Sequence, residues 1–246
     1  METPLQRMEL LIGEEKLALL QDACVMVVGV GGVGSYAAEA LARCGIGTLI
    51  LVDGDTVALS NLNRQIHATY ETVGQSKTKV MKERIDTYRK DCTVIQKDIF
   101  YKEENNDVLF DQPVDFVIDA IDTMSSKLSL IQYCKEHNIP FISSMGMANR
   151  LDPTKITICD LMKTSYDPVA KIMRNLVRRH RIKGRIPVVY SSEQPTVQTK
   201  IVNENGVTRK QKMPPASSPF VPSAAGLACA SYAVRTILDN KGNKQD

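Results

Sequence analysis

Four glycines stand within six residues, Gly29-Val30-Gly31-Gly32-Val33-Gly34, directly after the apolar run Cys24 to Val28. A phosphate is the ligand this pattern suits. Without side chains at Gly29, Gly31, Gly32 and Gly34 the backbone can turn tightly and approach an anion that a Cβ would hold off. A helix beginning near Val33 would then present free N–H groups and the positive end of its dipole to that anion. Asp53 follows the last glycine by about 20 residues, the spacing of an acid that holds a ribose hydroxyl. A glycine turn with its acid reports phosphate and ribose but no reaction, so an NAD-binding oxidoreductase fits this much of the chain as well as any other nucleotide enzyme.

The next segment adds charge. Asp53-Gly54-Asp55-Thr56-Val57 runs through Asn61 to Arg64 and Gln65, and Lys77 follows. Hydride transfer has no evident use for two cations beside the nucleotide. A triphosphate does, because about four negative charges must be held and charge builds on the phosphorus and its leaving group. Asp122, just past the apolar run Val114 to Ile118, stands at a strand end, where an α/β sheet presents its ligand groups. It also precedes the helix-like run Met124 to His137, where an Asp can serve as an N-cap.

Positioning these groups requires alternating strands and helices. Residues 1 to 23 read as a helical lead-in, followed by strands at 24–28 and 48–53, a helix from about Ser76 to Arg89 and a strand at 93–98. A strand at 114–120, a helix at 124–137 and a strand from Ile139 to Ser143 complete the alternation. This order predicts an α/β, doubly wound, Rossmann-like and mainly parallel sheet with helices on both faces. Past Met145-Gly146-Met147 the character changes into a C-terminal extension. It contains an alternating strand at Lys155 to Leu161, a basic helix, a strand at Pro187 to Ser191, and a turn signal at Asn203-Glu204-Asn205-Gly206 inside a hairpin spanning Thr196 to Met213. The prolines of 214–219 predict an extended link, and a small-residue helix spans about Ser223 to Asp239. The whole of 1–246 is read as one domain, with 1–145 as nucleotide-binding core and 146–246 as substrate-side and dimer-forming extension.

The run DxDxV at Asp53, SNLNRQ at Ser60 to Gln65, GQSK ending at Lys77 and DAID at Asp119 to Asp122 resembles the ubiquitin-activating-enzyme-like adenylyltransferases, the molybdopterin and thiamine type. In that family a carboxylate attacks the ATP α-phosphate to give an acyl adenylate. The resemblance implies ATP and Mg2+ as cofactors, with Gly29, Gly31, Gly32 and Gly34 at the phosphates, Asp53 on the ribose, and Asp55, Asn61 and Gln65 lining the nucleotide site. Arg64 and Lys77 would grip the phosphates, and Asp122 would take the magnesium-bound nucleotide. Arg7, in Arg7-Met8-Glu9-Leu10-Leu11-Ile12-Gly13, matches a segment whose arginine enters the partner subunit's site, which implies a homodimer.

Within the family the chain is most similar to the tRNA threonylcarbamoyladenosine dehydratases, through Asn63 to Ala68, Asp119 to Asp122, Asp152-Pro153-Thr154 and Val189 to Glu193. That resemblance implies tRNA as partner and an ATP-driven, cyclising loss of water at a threonylcarbamoyl carboxylate. It also admits a cysteine desulfurase or sulfur-acceptor protein as a further partner. The alternatives are activation of a ubiquitin-like sulfur carrier's C-terminus, the NAD-binding oxidoreductase, and a silent nucleotide-binding scaffold.

Composition sets the remaining bounds. Hydrophobic residues make up 43% and charged residues 24%, ordinary for a globular chain. No uninterrupted apolar run approaches a membrane span, and Arg7, Glu9 and Glu14 interrupt any signal-like core, so a cytoplasmic protein without membrane contact is expected. Six cysteines without a CxxC pair argue against a disulfide scaffold and against the zinc knuckle of sulfur-carrier activators. Cys229, among small residues, reads as packing, and His67, close to Arg64, as a structural hydrogen-bonding residue that could alternatively assist proton transfer. The stretch from Lys171 to Arg185 holds seven basic residues and no acid, against a net charge of +3 for the whole chain. Arg174, Arg178 and Arg181 recur at helical spacing and would line one face for tRNA phosphates, with a solvated helix face as the plainer reading.

Overall fold

The computed structural model describes residues 2–197 and 215–242. Two short helices lead in, α1 (Gln6–Ile12) and α2 (Glu14–Gln21). Strand and helix then alternate through β1 (Cys24–Val28), α3 (Gly34–Cys44), β2 (Thr48–Val52), α4 (Lys77–Asp86), β3 (Thr93–Lys97), the single turn α5 (Asn106–Leu109), β4 (Phe116–Asp119), α6 (Met124–Glu136) and β5 (Phe141–Ser144). The rest comprises β6 (Ile156–Asp160), α7 (Pro168–Arg179), β7 (Pro187–Ser191) and α8 (Phe220–Gly242). The hairpin expected around Asn203 to Gly206 lies outside the described residues.

Seven strands form one sheet in the order β3-β2-β1-β4-β5-β7-β6. Only the β6–β7 pair is antiparallel. The strand order reverses at β1, which lies between β2 and β4, and a crevice opens there at the carboxyl ends of the strands. The stretch after residue 145 adds β7 and β6 to the sheet begun by the first half. β1 shows why the central strands are largely apolar: Val25 and Val27 pack with α3 and α8 on one face, Met26 and Val28 with α6 and α7 on the other. A strand covered on both faces has no solvent side on which to alternate.

The basic helix is shorter than its charge pattern predicts. Asp167 caps α7 by accepting from the Ala170 N–H at 3.0 Å, Pro168 opens the first turn, and the Ala170, Met173 and Val177 side chains face the core. The helix ends at Arg179. Arg181 adopts φ 54, its N–H donates to the Arg178 carbonyl at 3.1 Å, and the Ile182 N–H donates to the Val177 carbonyl at 3.0 Å. This paired bonding around a left-handed residue closes a helix C-terminus, with Ile182 and Val177 in the same apolar cluster. Arg181 is therefore off the helix and does not share a helical face with Arg174 and Arg178.

By length and composition α8 could cross a membrane. In this fold it is a core helix: Val221, Ala225, Cys229, Ala233 and Ile237, four residues apart, are buried with α3 and the sheet. Its small residues permit close approach, and a Cβ on Gly226 would overlap the Val33 carbonyl and meet the Tyr36 Cβ at 2.9 Å.

Candidate nucleotide-binding site

A cavity of about 920 Å³ lies at the carboxyl ends of β1, β2, β4 and β5. The glycine turn forms its floor. Gly29 has φ 90, and a Cβ there would meet the Ala120 carbonyl oxygen at 2.7 Å, so a side chain would push apart the β1 and β4 ends. Gly31 and Gly32 face the cavity. Gly34 does not line it: a Cβ there would overlap the Gly29 carbonyl, so the lack of a side chain lets α3 seat against β1.

Asp53 ties two loops together. One carboxylate oxygen accepts from the Val30 N–H at 2.7 Å, the other from the Asp55 N–H at 2.8 Å. Burial pushes its carboxyl up, opposed by the Lys77 charge and by these N–H groups. Ser76 caps α4 by accepting from the Lys79 N–H, which sets Lys77 at the first helical position and turns it into the site. Lys77 is only 6% exposed, with its Nζ 2.8 Å from Asp55 and 3.9 Å from Asp53. Asn61 accepts from the Ala58 N–H, while Arg64 donates from one guanidinium nitrogen to the Ser60 carbonyl and to Asn63 at 2.8 and 2.9 Å. Buried Gln65 lines the cavity, and its Oε1 has no hydrogen-bond partner among the described residues.

Asp122 lies on the rim of the cavity, exposed. It is not the N-cap of α6; Thr123 takes that place, and the only bond at the Asp122 carboxylate among the described residues is from the Thr123 hydroxyl at 3.4 Å. The carboxylate thus remains available to a ligand. Among the described residues no group of three His, Cys, Asp or Glu side chains is arranged to hold a metal ion. The exposed Asp122 carboxylate is a donor of the oxygen type that a hard divalent cation takes.

The chain therefore gathers Gly29, Gly31, Gly32, Asp53, Asp55, Asn61, Arg64, Gln65, Lys77 and Asp122 around one cavity. Arg7 lies exposed on α1, away from it. Arg174 is half-buried and donates to the Thr164 carbonyl at 3.1 Å and to the Thr164 hydroxyl, so its guanidinium is engaged within the fold. Arg178 and Arg181 are exposed. His67 departs from both expectations: it does not line the cavity, its ring nitrogens have no hydrogen-bond partner among the described residues, and burial, then Lys77 and Arg84, pushes its pKa down to about 4. All six cysteines are free, and burial raises Cys229 to about 12, which leaves its thiol protonated and inert.

Sequence reasoning missed the far wall of the cavity, the loop Met145 to Arg150, and exposed Phe100 at its edge. Buried Arg150 holds that loop, donating to the Gly146 carbonyl at 2.5 Å, the Glu193 carbonyl at 3.0 Å and the Tyr166 carbonyl at 3.3 Å. Its bonds go to backbone atoms, which residue types do not reveal; the change of character at Met145-Gly146-Met147 was the available signal.

The model of the ThiF family matches residues 5–245. The chain belongs to the ThiF family. Among ThiF-family relatives, the tRNA threonylcarbamoyladenosine dehydratase of Bacillus subtilis is 47% identical over 237 residues, covering 94% of this chain and 93% of that protein. The Escherichia coli protein of the same name is 44% identical over 183 residues, 74% of this chain and 66% of its own length. The crystal structure of the E. coli tRNA N6-threonylcarbamoyladenosine dehydratase, TcdA, in complex with ATP matches with a TM-score of 0.87 at 34% identity, covering 98% of this chain and 96% of that one. E. coli MccB, at 19% identity and a TM-score of 0.67, shares the fold.

Proposed function

We propose that this ThiF-family chain uses ATP to activate the threonylcarbamoyl carboxylate on a modified adenosine of tRNA, with cyclising loss of water as the net result. The convergence of Asp53, Arg64, Lys77 and Asp122 on the glycine-floored cavity carries the proposal. The carboxylate oxygen attacks the α-phosphorus, the bond to pyrophosphate breaks, and an acyl adenylate forms. A nucleophile within the same modified nucleoside then attacks the acyl carbon and AMP leaves with the carboxylate oxygen. Because that nucleophile is tethered to the acyl group, its effective concentration is high and no enzyme thiol is required; the buried, protonated Cys229 accords with this.

The glycine turn and the start of α3 receive phosphate oxygens, and Asp53 keeps acceptor capacity for the ribose. Arg64 and Lys77 offset the charge that builds on the phosphorus and pyrophosphate, Lys77 exchanging its bond to Asp55 for one to phosphate. Asp122, with the phosphates, would hold Mg2+, which supplies further charge neutralisation.

The supporting surfaces belong to the same proposal. Arg7, beside exposed Leu10 and Leu11 on α1, completes the site of a second copy in a homodimer. Exposed Arg178 and Arg181 meet tRNA phosphates, and the protein works in the cytoplasm. Pyrophosphate release is measured with threonylcarbamoyladenosine-bearing tRNA, with unmodified tRNA and without acceptor. Release dependent on the modified tRNA, with loss of 18 mass units (about one water) from the nucleoside, is the expected result. Equal release in all three arms overturns the assignment of substrate, and release only with a protein acceptor favours the sulfur-carrier activator.

A further inference from the structure

Lys127 makes no contact with the cavity, yet it is 0% exposed and carries an ammonium into the protein interior. Its Nζ donates to Asp119 at 2.9 Å, to the Ser143 hydroxyl at 3.2 Å and to the Ser144 carbonyl at 2.9 Å. The Ser143 hydroxyl in turn donates to the second Asp119 oxygen at 2.5 Å, and the first oxygen also accepts from the Ile121 N–H at 3.1 Å. Asp119, at 1% exposure, is as deeply enclosed as the lysine.

Two features set this cluster apart from ordinary core. A cation in the first turn of α6 opposes the helix dipole, which favours an acid there. A buried ion pair is moreover often matched in stability by apolar side chains of similar volume. Its placement accounts for it better than stability does. Asp119 shapes the turn through Ala120 and Ile121 that presents Asp122, and Ser144 begins the loop that forms the far wall. Beside the β4–β5 pairing of Asp119 with Ser143 and the bond between their side chains, Lys127 is the one side chain among the described residues that bonds both Asp119 and Ser144.

We propose that Lys127 is a positioning residue for adenylate formation, locking the Asp119–Asp122 turn to the end of β5 so that the nucleotide-side and acceptor-side walls of the cavity keep a fixed separation. This rests on the adenylation reading above and extends it to a group that touches neither ATP nor tRNA. An attacking carboxylate and an α-phosphorus held by different walls are sensitive to that separation, since a misplacement of about 1 Å costs on the order of a hundredfold in rate.

The test uses the double variant Lys127→Met with Asp119→Asn, which removes both buried charges together. Melting temperature, the KM for ATP and the kcat for pyrophosphate release with modified tRNA are measured beside those of the parent and of Asp122→Ala. The expected result is a melting temperature near that of the parent, an ATP KM within about threefold, and a kcat lower by about a hundredfold. Parental kcat in the folded double variant overturns the proposal. If the double variant does not fold, Ser143→Ala decides: it keeps both charges and removes one bond to each, and kcat must fall at unchanged ATP KM, while unchanged kcat overturns the proposal. Failure of the adenylation reading shows separately, in the parent, as pyrophosphate release that does not depend on the modified tRNA, and the Lys127 result is still judged on the kcat of the release that remains.

Discussion

Replacing Arg64 by Ala separates stability from catalysis. In the folded chain the Arg64 guanidinium makes two hydrogen bonds, both from one nitrogen and both to acceptors within its own loop, Ser60 and Asn63. At about 1 kcal/mol net for each such bond, their loss costs at most about 2 kcal/mol of stability. The aliphatic stem lies along the glycine turn, with Cγ 3.4 Å from where a Gly32 Cβ would stand, and both residues line the cavity. Removing one group that stabilises charge at phosphoryl transfer costs about 3–4 kcal/mol, or roughly a hundred- to thousandfold in rate. Pyrophosphate release with modified tRNA should therefore fall by that factor while the melting temperature drops only a few degrees. Arg64→Lys should fall between parent and Ala, because it keeps a charge but loses the planar fork. A folded Arg64→Ala protein within tenfold of the parental rate refutes the assignment.

Asp122→Ala should lower turnover by a similar factor with little loss of stability, since its carboxylate caps nothing; a steady-state assay beside a thermal melt checks both. Lys77→Ala should raise the ATP concentration needed for half-maximal rate as well as slow the reaction, and unchanged ATP dependence removes Lys77 from the phosphate site. Mixing Arg7→Ala with Asp122→Ala subunits should recover activity if a site draws one residue from each chain; no recovery despite demonstrated subunit exchange places both residues in one chain. Buried His67 has a folded pKa of about 4, below its unfolded value, so the unfolded state takes up its proton first and stability is lost as pH falls from about 6.5 toward about 4. His67→Leu should flatten that acid limb in melts between about pH 7 and about pH 5, and an unchanged limb contradicts the assignment.

The doubly wound core was legible because its central strands β1, β2, β4 and β5 are buried almost throughout and so read as apolar runs between helical segments. That Asp53, Arg64, Lys77 and Asp122 line one cavity was legible because phosphate and ribose demand particular side chains at particular separations, and the motif spacing has that form. The packing role of Gly34 was not legible, because glycine serves equally for an approaching phosphate and for an approaching carbonyl, and only the folded distance to Gly29 reveals the carbonyl. Arg181 was misread because charge at helical spacing does not end where a helix ends; the closure rests on an arginine in a conformation usually left to glycine or asparagine. Arg150 was invisible because its hydrogen bonds go to backbone carbonyls, and Lys127 because only the fold brings it beneath Asp119, Ser143 and Ser144.

The contact between the two ends of the described chain bears on how the protein is made. Pro222 and Gly226, near the start of α8, close over Gly32 and Val33, so the last helix roofs a motif synthesised some 190 residues earlier, on the order of ten seconds or more at ribosomal speeds. Until α8 emerges, the glycine turn has a floor but no cover, and α3 exposes the small-residue face meant for that helix. The wall that Pro222 gives the cavity is thus the part of the site made last among the described residues, long after the glycine turn it covers.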